Sequence, residues 1–264
     1  MANSGNNIGI IGGAGMLGSA ISKALLASGA VDPHRFWVSN RTGAAPDFGQ
    51  SSGINVTTDN KRLVDACDTI VLCVPPASFP GIQIDATDKL VISVMAGVTS
   101  DRIASQTGAA RVVRAMSSPA ASLALAYSPW FASDAVTVQD REVVRRLLEA
   151  CGATDQVFEE SQIDHFTAMT GPVPGFVALF AQCMVDHAER QGIDPQVADR
   201  AVRQLFLAGG TMLARDSARP ADHVRWMIDY AGTTAAGLNA MIDAGISKTI
   251  SDGLMAAADR GKSL

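Results

Sequence analysis

The sequence IGIIGGAGMLGSAI, residues 8–21, decides the fold of this chain. Its first five residues form an apolar run typical of a buried strand, and a helical pattern follows as far as residue 29. Between them lies a G-x-G-x-x-G motif in the strand-turn-helix context that gives the motif meaning. Its residues are Gly13, Ala14, Gly15, Met16, Leu17 and Gly18. Such glycines allow a tight turn, and they let a pyrophosphate approach the backbone at the positive end of a helix. The stretch predicts a dinucleotide-binding turn, although a glycine-rich turn without a ligand would fit the same letters.

Further short apolar runs alternate with helical stretches over residues 7–158. The runs are RFWVSN, DTIVLCV, KLVISVMAG and ARVVRAM, followed by SLALAYSP and TDQVF as later strands. A helix is predicted over residues 140–152, where it ends at a glycine. Alternation of this kind predicts an α/β domain of the Rossmann type, a doubly wound parallel sheet with helices on both faces. We expect this dinucleotide-binding domain to span residues 1–158.

The remaining residues, 159–264, predict an all-α domain. The β-branched runs disappear, and glycine and proline divide the segment into helices over residues 159–170, 174–191, 195–216, 221–229, 233–244 and 246–261. The segments FVALFAQCMVDHAERQG and AVRQLFLAGGTMLA are apolar on more than one stripe, so one packing face would leave apolar surface in water. We expect a second chain to cover it, in a homodimer or higher homo-oligomer.

Composition narrows the class of partner. The 264 residues contain 21 Lys and Arg against 26 Asp and Glu, a net charge of -5, without a basic stripe for nucleic acid. The opening MANSGNN lacks a signal-peptide pattern, and the apolar residues 8–30 are rich in glycine and contain Lys23, so we expect a soluble cytoplasmic protein with no membrane partner. The four cysteines form no C-x-x-C pair and the four histidines are scattered, which predicts reduced thiols and no metal.

The end of the second predicted strand indicates the cofactor. NAD-binding domains tend to carry Asp or Glu there to hold the ribose hydroxyls. This chain has Ser39, Asn40 and Arg41, whose hydroxyl, amide and guanidinium groups can donate hydrogen bonds to a 2′-phosphate. The pattern favours NADP, unless Arg41 is only a solvated loop charge.

A set of motifs in order along the chain resembles the pyrroline-5-carboxylate reductase family. These are IGIIGGAGMLGSAI, SNRT, VPP, ISVMAGV, RVVRAM and GTTAAGL. Family members have motifs like VMPNTPA, SGSGPAY and SPGGTT, which have partial counterparts here in AMSSPA from Ala115, TGPVPGF from Thr170 and DYAGTT from Asp229. The resemblance covers nearly the whole length of the chain.

This resemblance implies hydride transfer from a nicotinamide to a small cyclic imine, and a helical domain that interlocks with that of a second chain. It adds Val74, Pro75, Ala96, Gly97 and Met116 to the cofactor-binding residues. It also implies that residues 229–234 line the substrate pocket, with hydroxyl and N–H groups holding a carboxylate. The substrate-binding residues are then Asp229, Tyr230, Ala231, Gly232 and Thr233, and the catalytic residues are Thr234, near the imine nitrogen, and Thr233.

Few ionisable groups are needed for this chemistry. A small imine can arrive already protonated, so that holding it in place and excluding water matter more than acid–base groups. From their types alone, Thr233 and Thr234 fit a helix cap without a ligand about equally well.

The chain departs from the family motif at the proposed substrate residues. Asp229 and Tyr230 replace a serine and a proline, and the asparagine of the MPNTP motif has no counterpart. If Asp229 faced a substrate carboxylate at about 4 Å, the repulsion would be about 4 kcal/mol at an effective dielectric of 20. Either the substrate has no carboxylate at that point, or Asp229 turns outward, for example as a helix cap.

Three functions follow. The first is an NADPH-dependent reductase that converts pyrroline-5-carboxylate to proline, as in proline biosynthesis. The second is an imine reductase for a non-carboxylate or cationic imine, which an anionic Asp229 would favour. The third, from another class, is a non-catalytic NADP-binding interaction protein, which the altered SPGGTT motif would fit. His165, a lone histidine, is not predicted to be catalytic.

Overall fold

A computed structural model describes residues 6–44, 47–48 and 53–262 of the chain. The chain divides into two compact units, one of Met1–Val173 with Leu254–Leu264 and one of Pro174–Gly253. The first unit holds the sheet, and the second is helical. The domain boundary that we predict between residues 158 and 159 falls inside the first unit, and it stays a prediction.

The first unit is built on a sheet of seven strands among the described residues, in the order β3-β2-β1-β4-β5-β6-β8. Strands β1 to β6 run parallel, and β8 pairs antiparallel with β6. The strands are β1 (Ile8–Ile11), β2 (Phe36–Ser39), β3 (Asn55–Thr57), β4 (Thr69–Leu72), β5 (Leu90–Ser93), β6 (Arg111–Ala115) and β8 (Trp130–Ala132). Two further strands, β7 (Ala126–Tyr127) and β9 (Gly152–Ala153), pair with each other. The strand order reverses between β1 and β4, as in doubly wound dinucleotide-binding folds, so the predicted fold class is confirmed.

Helices cover both faces of this sheet, and the strands are buried because apolar side chains meet the helices on each side. The helices of the first unit are α1 (Met16–Ala27), α2 (Asn60–Ala66), α3 (Ser100–Thr107), α4 (Val138–Glu149) and α5 (Gln162–Met169). One core lies under α1 and α4 and includes Phe36 and Val38. The other lies under α2 and α3 and includes Leu72 and Val112. Two buried faces explain why the strand sequences are continuously apolar.

Two of the predicted strands differ from the structure. The first residues of SLALAYSP belong to a 3-10 helix, Pro119–Leu123, and the turn after it, and within SLALAYSP only residues 126–127 form a strand. TDQVF forms no strand beyond one bridge at Gln156, because the extended segment comes earlier, at β9. Both runs are short, and runs of this length carry little information about their own backbone.

The second unit consists of helices whose ends follow clear local signals. They are α6 (Gly175–Arg190), α7 (Pro195–Arg215), α8 (Pro220–Asp229), α9 (Thr233–Asp243) and the first part of α10 (Ile246–Lys262). Asp194 caps α7 by accepting hydrogen bonds from the N–H groups of Gln196 and Val197, and Pro195 takes the first helical position. The predicted helices agree with these bounds within a few residues.

The helices α6 and α7 leave large apolar side chains exposed in the single chain. They include Phe176, Val177, Leu179, Phe180, Val197, Leu205, Leu207 and Met212. An exposed apolar surface of this kind is typical of a protein interface.

Among the described residues, no helix combines the length and apolar character that crossing a membrane would require.

A network of ion pairs around a buried arginine connects strand β6 to helix α5. Arg114 of β6 is 1 % exposed, and its guanidinium contacts Asp164 of α5 and the Glu160 carboxylate, the latter at 3.4 Å. Burying a guanidinium is costly unless carboxylates compensate it, so these three side chains form an interdependent set.

Arg114→Met should therefore lower the free energy of unfolding by about 3–5 kcal/mol, because Glu160 and Asp164 lose a buried partner. Urea denaturation followed by circular dichroism measures the change. Arg145→Met is the matched control, since Arg145 also pairs with two carboxylates, Glu142 and Glu149, but its side chain is 48 % exposed. The control should unfold almost like the wild type, and equal losses in both variants would contradict the argument.

Candidate active site

A cavity of about 520 Å³ opens at the carboxyl ends of the parallel strands. It lies beside the point between β1 and β4 where the strand order reverses, which is where doubly wound folds bind nucleotides. The lining residues follow β1, β2, β3 and β4 and are Ile11, Gly12, Ala14, Gly15, Ser39, Asn40, Arg41, Thr42, Thr58, Asn60, Cys73, Val74, Pro75, Ser78 and Ile82. Arg41 is the one charged residue among them, so the cavity suits an anionic ligand.

The turn after β1 is made by glycines because the backbone of three segments meets there. Gly12 has a φ of +85°, and a Cβ atom built on it would lie 2.3 Å from the carbonyl oxygen of Cys73. A Cβ on Gly18 would lie 2.3 Å from the carbonyl oxygen of Gly12. Gly12 is thus the residue that needs the left-handed conformation. Gly13 is required for close packing instead, because a Cβ atom on it would lie 2.7 Å from the Val38 side chain.

Helix α1 begins at this turn, and the N–H groups of its first turn are free for a ligand. Its N-cap residue, Gly15, has no side chain to accept them, and its first turn contains no acidic residue. Ala14 and Gly15 line the cavity. The start of α1 therefore combines unpaired N–H groups with the positive end of the helix dipole, which is the arrangement that binds phosphate.

The loop after β2 forms a polar lobe of the cavity. Ser39 donates a hydrogen bond from Oγ to Oδ1 of Asn60 at 2.6 Å. The Oδ1 atom of Asn40 accepts hydrogen bonds from Thr42 and Gly43, and its Nδ2 atom donates to the Ala44 carbonyl. Asn40 therefore shapes the loop with its side chain rather than offering the free amide that we expected, and in the described residues Arg41 has no ion-pair partner.

Seven of the predicted cofactor residues line this cavity, and the other seven do not. Those that line it are Ala14, Gly15, Ser39, Asn40, Arg41, Val74 and Pro75. Gly13 and Gly18 serve close packing, Leu17 packs on the core, and Met16 is 79 % exposed at the helix start. Ala96 and Gly97 form the turn after β5, while Met116 is buried after β6. A role for these residues toward the cofactor stays a prediction.

Eight of the lining residues are not predicted from the sequence, namely Ile11, Gly12, Thr42, Thr58, Asn60, Cys73, Ser78 and Ile82. Asn60 could have been found, since Asp59 is a helix N-cap signal directly before it, but the short strand β3 that positions it was not recognised. Burial raises the pKa of the Cys73 thiol to about 12. At neutral pH this thiol is protonated, so it contributes shape rather than a nucleophile.

In the helical unit, the predicted substrate residues form a tight turn between α8 and α9. Asp229 is the last residue of α8 and Tyr230 follows as its C-cap. Ala231 has a φ of +55°, a left-handed conformation that costs a residue with a Cβ about 1–2 kcal/mol. Gly232 is the N-cap of α9, and the Tyr230 ring lies against it, so that a Cβ there would meet the ring at 3.3 Å.

The two threonines are the first residues of α9, and neither caps it. Thr233 and Thr234 are exposed, and α9 has neither a side-chain cap nor an acidic residue in its first turn. The capping explanation for the threonines is therefore wrong, and so is a capping role for Asp229 at this helix. Asp229 is exposed, and its carboxylate has no hydrogen-bond or ion-pair partner in the described part of the chain. An uncapped helix start with two hydroxyl groups is suited to a carboxylate.

Neither His165 nor the aromatic residues Trp226 and Tyr127 belong to the cavity lining. His165 is exposed on α5, and Trp226 packs edge-on against His223. Tyr127 donates a hydrogen bond to Asp155 at 2.9 Å. Within residues 6–44, 47–48 and 53–262, no cluster of three or more His, Cys, Asp or Glu side chains could hold a metal.

Gly12→Ala should abolish dinucleotide binding and destabilise the first unit, because a Cβ atom would collide with the Cys73 carbonyl. Titration with NADPH, followed by nicotinamide fluorescence, measures the affinity. Gly81→Ala is the control, since a Cβ atom there meets nothing within 4 Å. NADPH affinity unchanged in the first variant would contradict the assignment of this turn.

Two family models match different parts of the chain. Residues 160–264 match the family model described as pyrroline-5-carboxylate reductase dimerisation, and residues 7–97 match that of NADP oxidoreductase, coenzyme F420-dependent. Pyrroline-5-carboxylate reductase of Methanosarcina acetivorans is 30% identical over 267 residues, 97% of each chain.

Solved structures agree over the whole length. The pyrroline-5-carboxylate reductase of Coxiella burnetii superposes with a TM-score of 0.84 at 27% identity, covering 98% of each chain. That of Plasmodium falciparum, solved with NADP bound, has a TM-score of 0.83 at 20% identity and covers 100% of this chain and 98% of its own, which shows a shared fold. Sequence identity over almost the full length of a reductase places this chain in the pyrroline-5-carboxylate reductase family.

Proposed function

We propose that this protein is an NADPH-dependent reductase that converts pyrroline-5-carboxylate to proline. The observation that carries the proposal is a strand-turn-helix suited to phosphate beside a cavity whose described lining contains no acidic residue, in a chain whose relative of 30% identity is a pyrroline-5-carboxylate reductase. The enzyme class is that of oxidoreductases acting on C=N bonds. The protein acts as a homodimer through its helical domain, for which the match to the dimerisation model and the exposed apolar faces of α6 and α7 are the support. A cytoplasmic location stays our prediction.

The residues of the cavity fit NADP. The free N–H groups at the start of α1 suit the pyrophosphate, and the loop after β2 suits a 2′-phosphate. Arg41 supplies the positive charge of that loop, Ser39 and Thr42 supply hydroxyl groups, and Asn40 fixes the loop shape through its four hydrogen bonds. When bound, NADPH supplies the hydride.

The turn between α8 and α9 is the proposed substrate site. The N–H groups of the first turn of α9 and the hydroxyl groups of Thr233 and Thr234 would hold the carboxylate of the substrate. Thr234 would donate a hydrogen bond to the imine nitrogen, or orient its proton, as that nitrogen becomes an amine. The site needs no stronger acid, because a small cyclic imine can bind as the protonated iminium ion.

The decisive experiment is an assay of the purified full-length chain. We expect oxidation of NADPH, followed at the nicotinamide absorbance, with pyrroline-5-carboxylate, and slower oxidation when NADH replaces NADPH. Turnover of 1-pyrroline, which lacks the carboxylate, without turnover of the acid would instead favour the general imine reductase. NADPH binding without turnover of either compound would favour the non-catalytic NADP-binding protein.

Asp229→Ser tests where the carboxylate of Asp229 acts. If it faces the substrate, its removal should raise kcat/KM for pyrroline-5-carboxylate up to about fivefold, the range for exposed charges screened by water. Steady-state kinetics with the acid and with 1-pyrroline measure this, and the gain should be confined to the acid. Asp243→Ser is the control, because Asp243 is also exposed and ends the next helix. Equal kinetics of both variants would show that Asp229 points away from the substrate.

A further inference from the structure

We infer that Glu160 is a positioning residue for hydride transfer: its carboxylate fixes the turn after β5, Ala96 and Gly97, at the nicotinamide end of the cofactor site. This inference rests on the proposed function. Glu160 precedes α5 and is not among the residues that line the cavity. Its role is therefore to act through other residues.

The first contact of Glu160 is with the start of α3. Its Oε1 atom accepts a hydrogen bond from the Ser100 N–H at 2.7 Å, and its Oε2 atom accepts one from the Ser100 hydroxyl, also at 2.7 Å. Ser100 is the first residue of α3 and is buried. A carboxylate that accepts both donors holds the helix start in one position, and it complements the helix dipole. Two residues, Val98 and the N-cap residue Thr99, separate the turn that contains Gly97 from the start of this helix.

The second contact of Glu160 is with the buried Arg114. Oε1 lies 3.4 Å from a guanidinium nitrogen of Arg114, whose other terminal nitrogen contacts Asp164. Arg114 belongs to β6, two residues before Met116, and it pairs in register with Ser93, the last residue of β5. Glu160 therefore joins α3, the helix that follows the turn, to β6, the strand that lies beside β5 in the sheet.

The location of the turn gives these contacts a consequence for catalysis. Strands β1 to β6 are parallel, so their carboxyl ends share one edge of the sheet. The residues after β1 to β4 line the cavity, and the turn after β5 is the next one along that edge. The loop after β2, at the opposite end of the cavity lining, is the proposed 2′-phosphate site. The turn after β5 thus lies toward the nicotinamide half, where a misplacement of about 1 Å can cost about 100-fold in rate.

Glu160→Gln is the principal test. Glutamine keeps one acceptor oxygen for Ser100 but loses the charge that Arg114 requires. The matched control is Glu159→Gln, the same chemical change on the adjacent residue, which is exposed. We expect kcat for reduction of pyrroline-5-carboxylate to fall about tenfold or more in the Glu160 variant relative to the control. The deuterium isotope effect with NADPH labelled at the transferred position should increase.

Binding measurements separate positioning from loss of structure. Affinity for 2′,5′-ADP, which carries only the phosphate-bearing adenosine half of NADPH, should be unchanged in Glu160→Gln. Ser100→Ala removes one hydrogen bond and keeps the N–H, so it should show the same pattern with a smaller loss of kcat. It also keeps the test available if the glutamine variant fails to fold.

Two results with an active enzyme would overturn the inference. One is an equal kcat for the Glu160 and Glu159 variants. The other is a parallel loss of kcat and of 2′,5′-ADP affinity, which would indicate a general structural defect. If the wild type reduced no imine at all, the proposed function would fail separately. The positioning role of Glu160 would then be tested by the fluorescence emission maximum of bound NADPH. A displaced turn should shift this maximum in Glu160→Gln and not in the Glu159→Gln control. Equal maxima in the two variants would overturn the inference.

Discussion

The cofactor site depends on the absence of side chains where β1, α1 and β4 meet. The carbonyl oxygens of Gly12 and Cys73 occupy the positions that Cβ atoms of Gly18 and Gly12 would need, both at 2.3 Å. This close approach places the free N–H groups of α1 at the edge of the sheet, beside the residues that follow β2 and β4. A side chain at either glycine would move the helix start away from that edge, and the polar lobe around Ser39 and Arg41 would lose its neighbour.

A second constraint acts at the other half of the same edge. Arg114 is buried with two carboxylates, and one of these, Glu160, also accepts both donors of Ser100. The residues that flank the turns after β5 and β6 are packed in the core, among them Met95, Val98 and Met116. The hydrogen bonds from Ser100 to Glu160, a partly buried carboxylate paired with the buried Arg114, add a directional constraint that apolar packing lacks. Close backbone packing thus shapes the phosphate half of the site, and ion pairs and hydrogen bonds reinforce the packing of the turns beyond it.

Much of this organisation could be predicted from the sequence, because the main strands are apolar on both faces and the glycine motif lies between a strand and a helix. The strand β3, with three residues, was missed, and with it the contribution of Asn60 to the cavity. The hydrogen bonds of Asn40 could not be predicted either, since an amide after a strand can bind a ligand or its own loop equally well. Gly12 was overlooked for a similar reason: the motif gives the spacing of glycines, whereas the backbone angle decides which glycine makes the turn. The network around Arg114 joins residues 46 and 50 positions apart, which no local pattern reveals.

The uncovered apolar faces of α6 and α7 have a consequence for how the protein behaves on dilution. In the homodimer that we propose, burial of these side chains supplies part of the folding free energy of the helical domain. Melting temperature and specific activity then depend on protein concentration. A separated subunit exposes apolar surface, so it is short-lived and prone to aggregation. Freshly synthesised chains would accordingly mature by a second-order process, with subunit encounter as a step in reaching the native state.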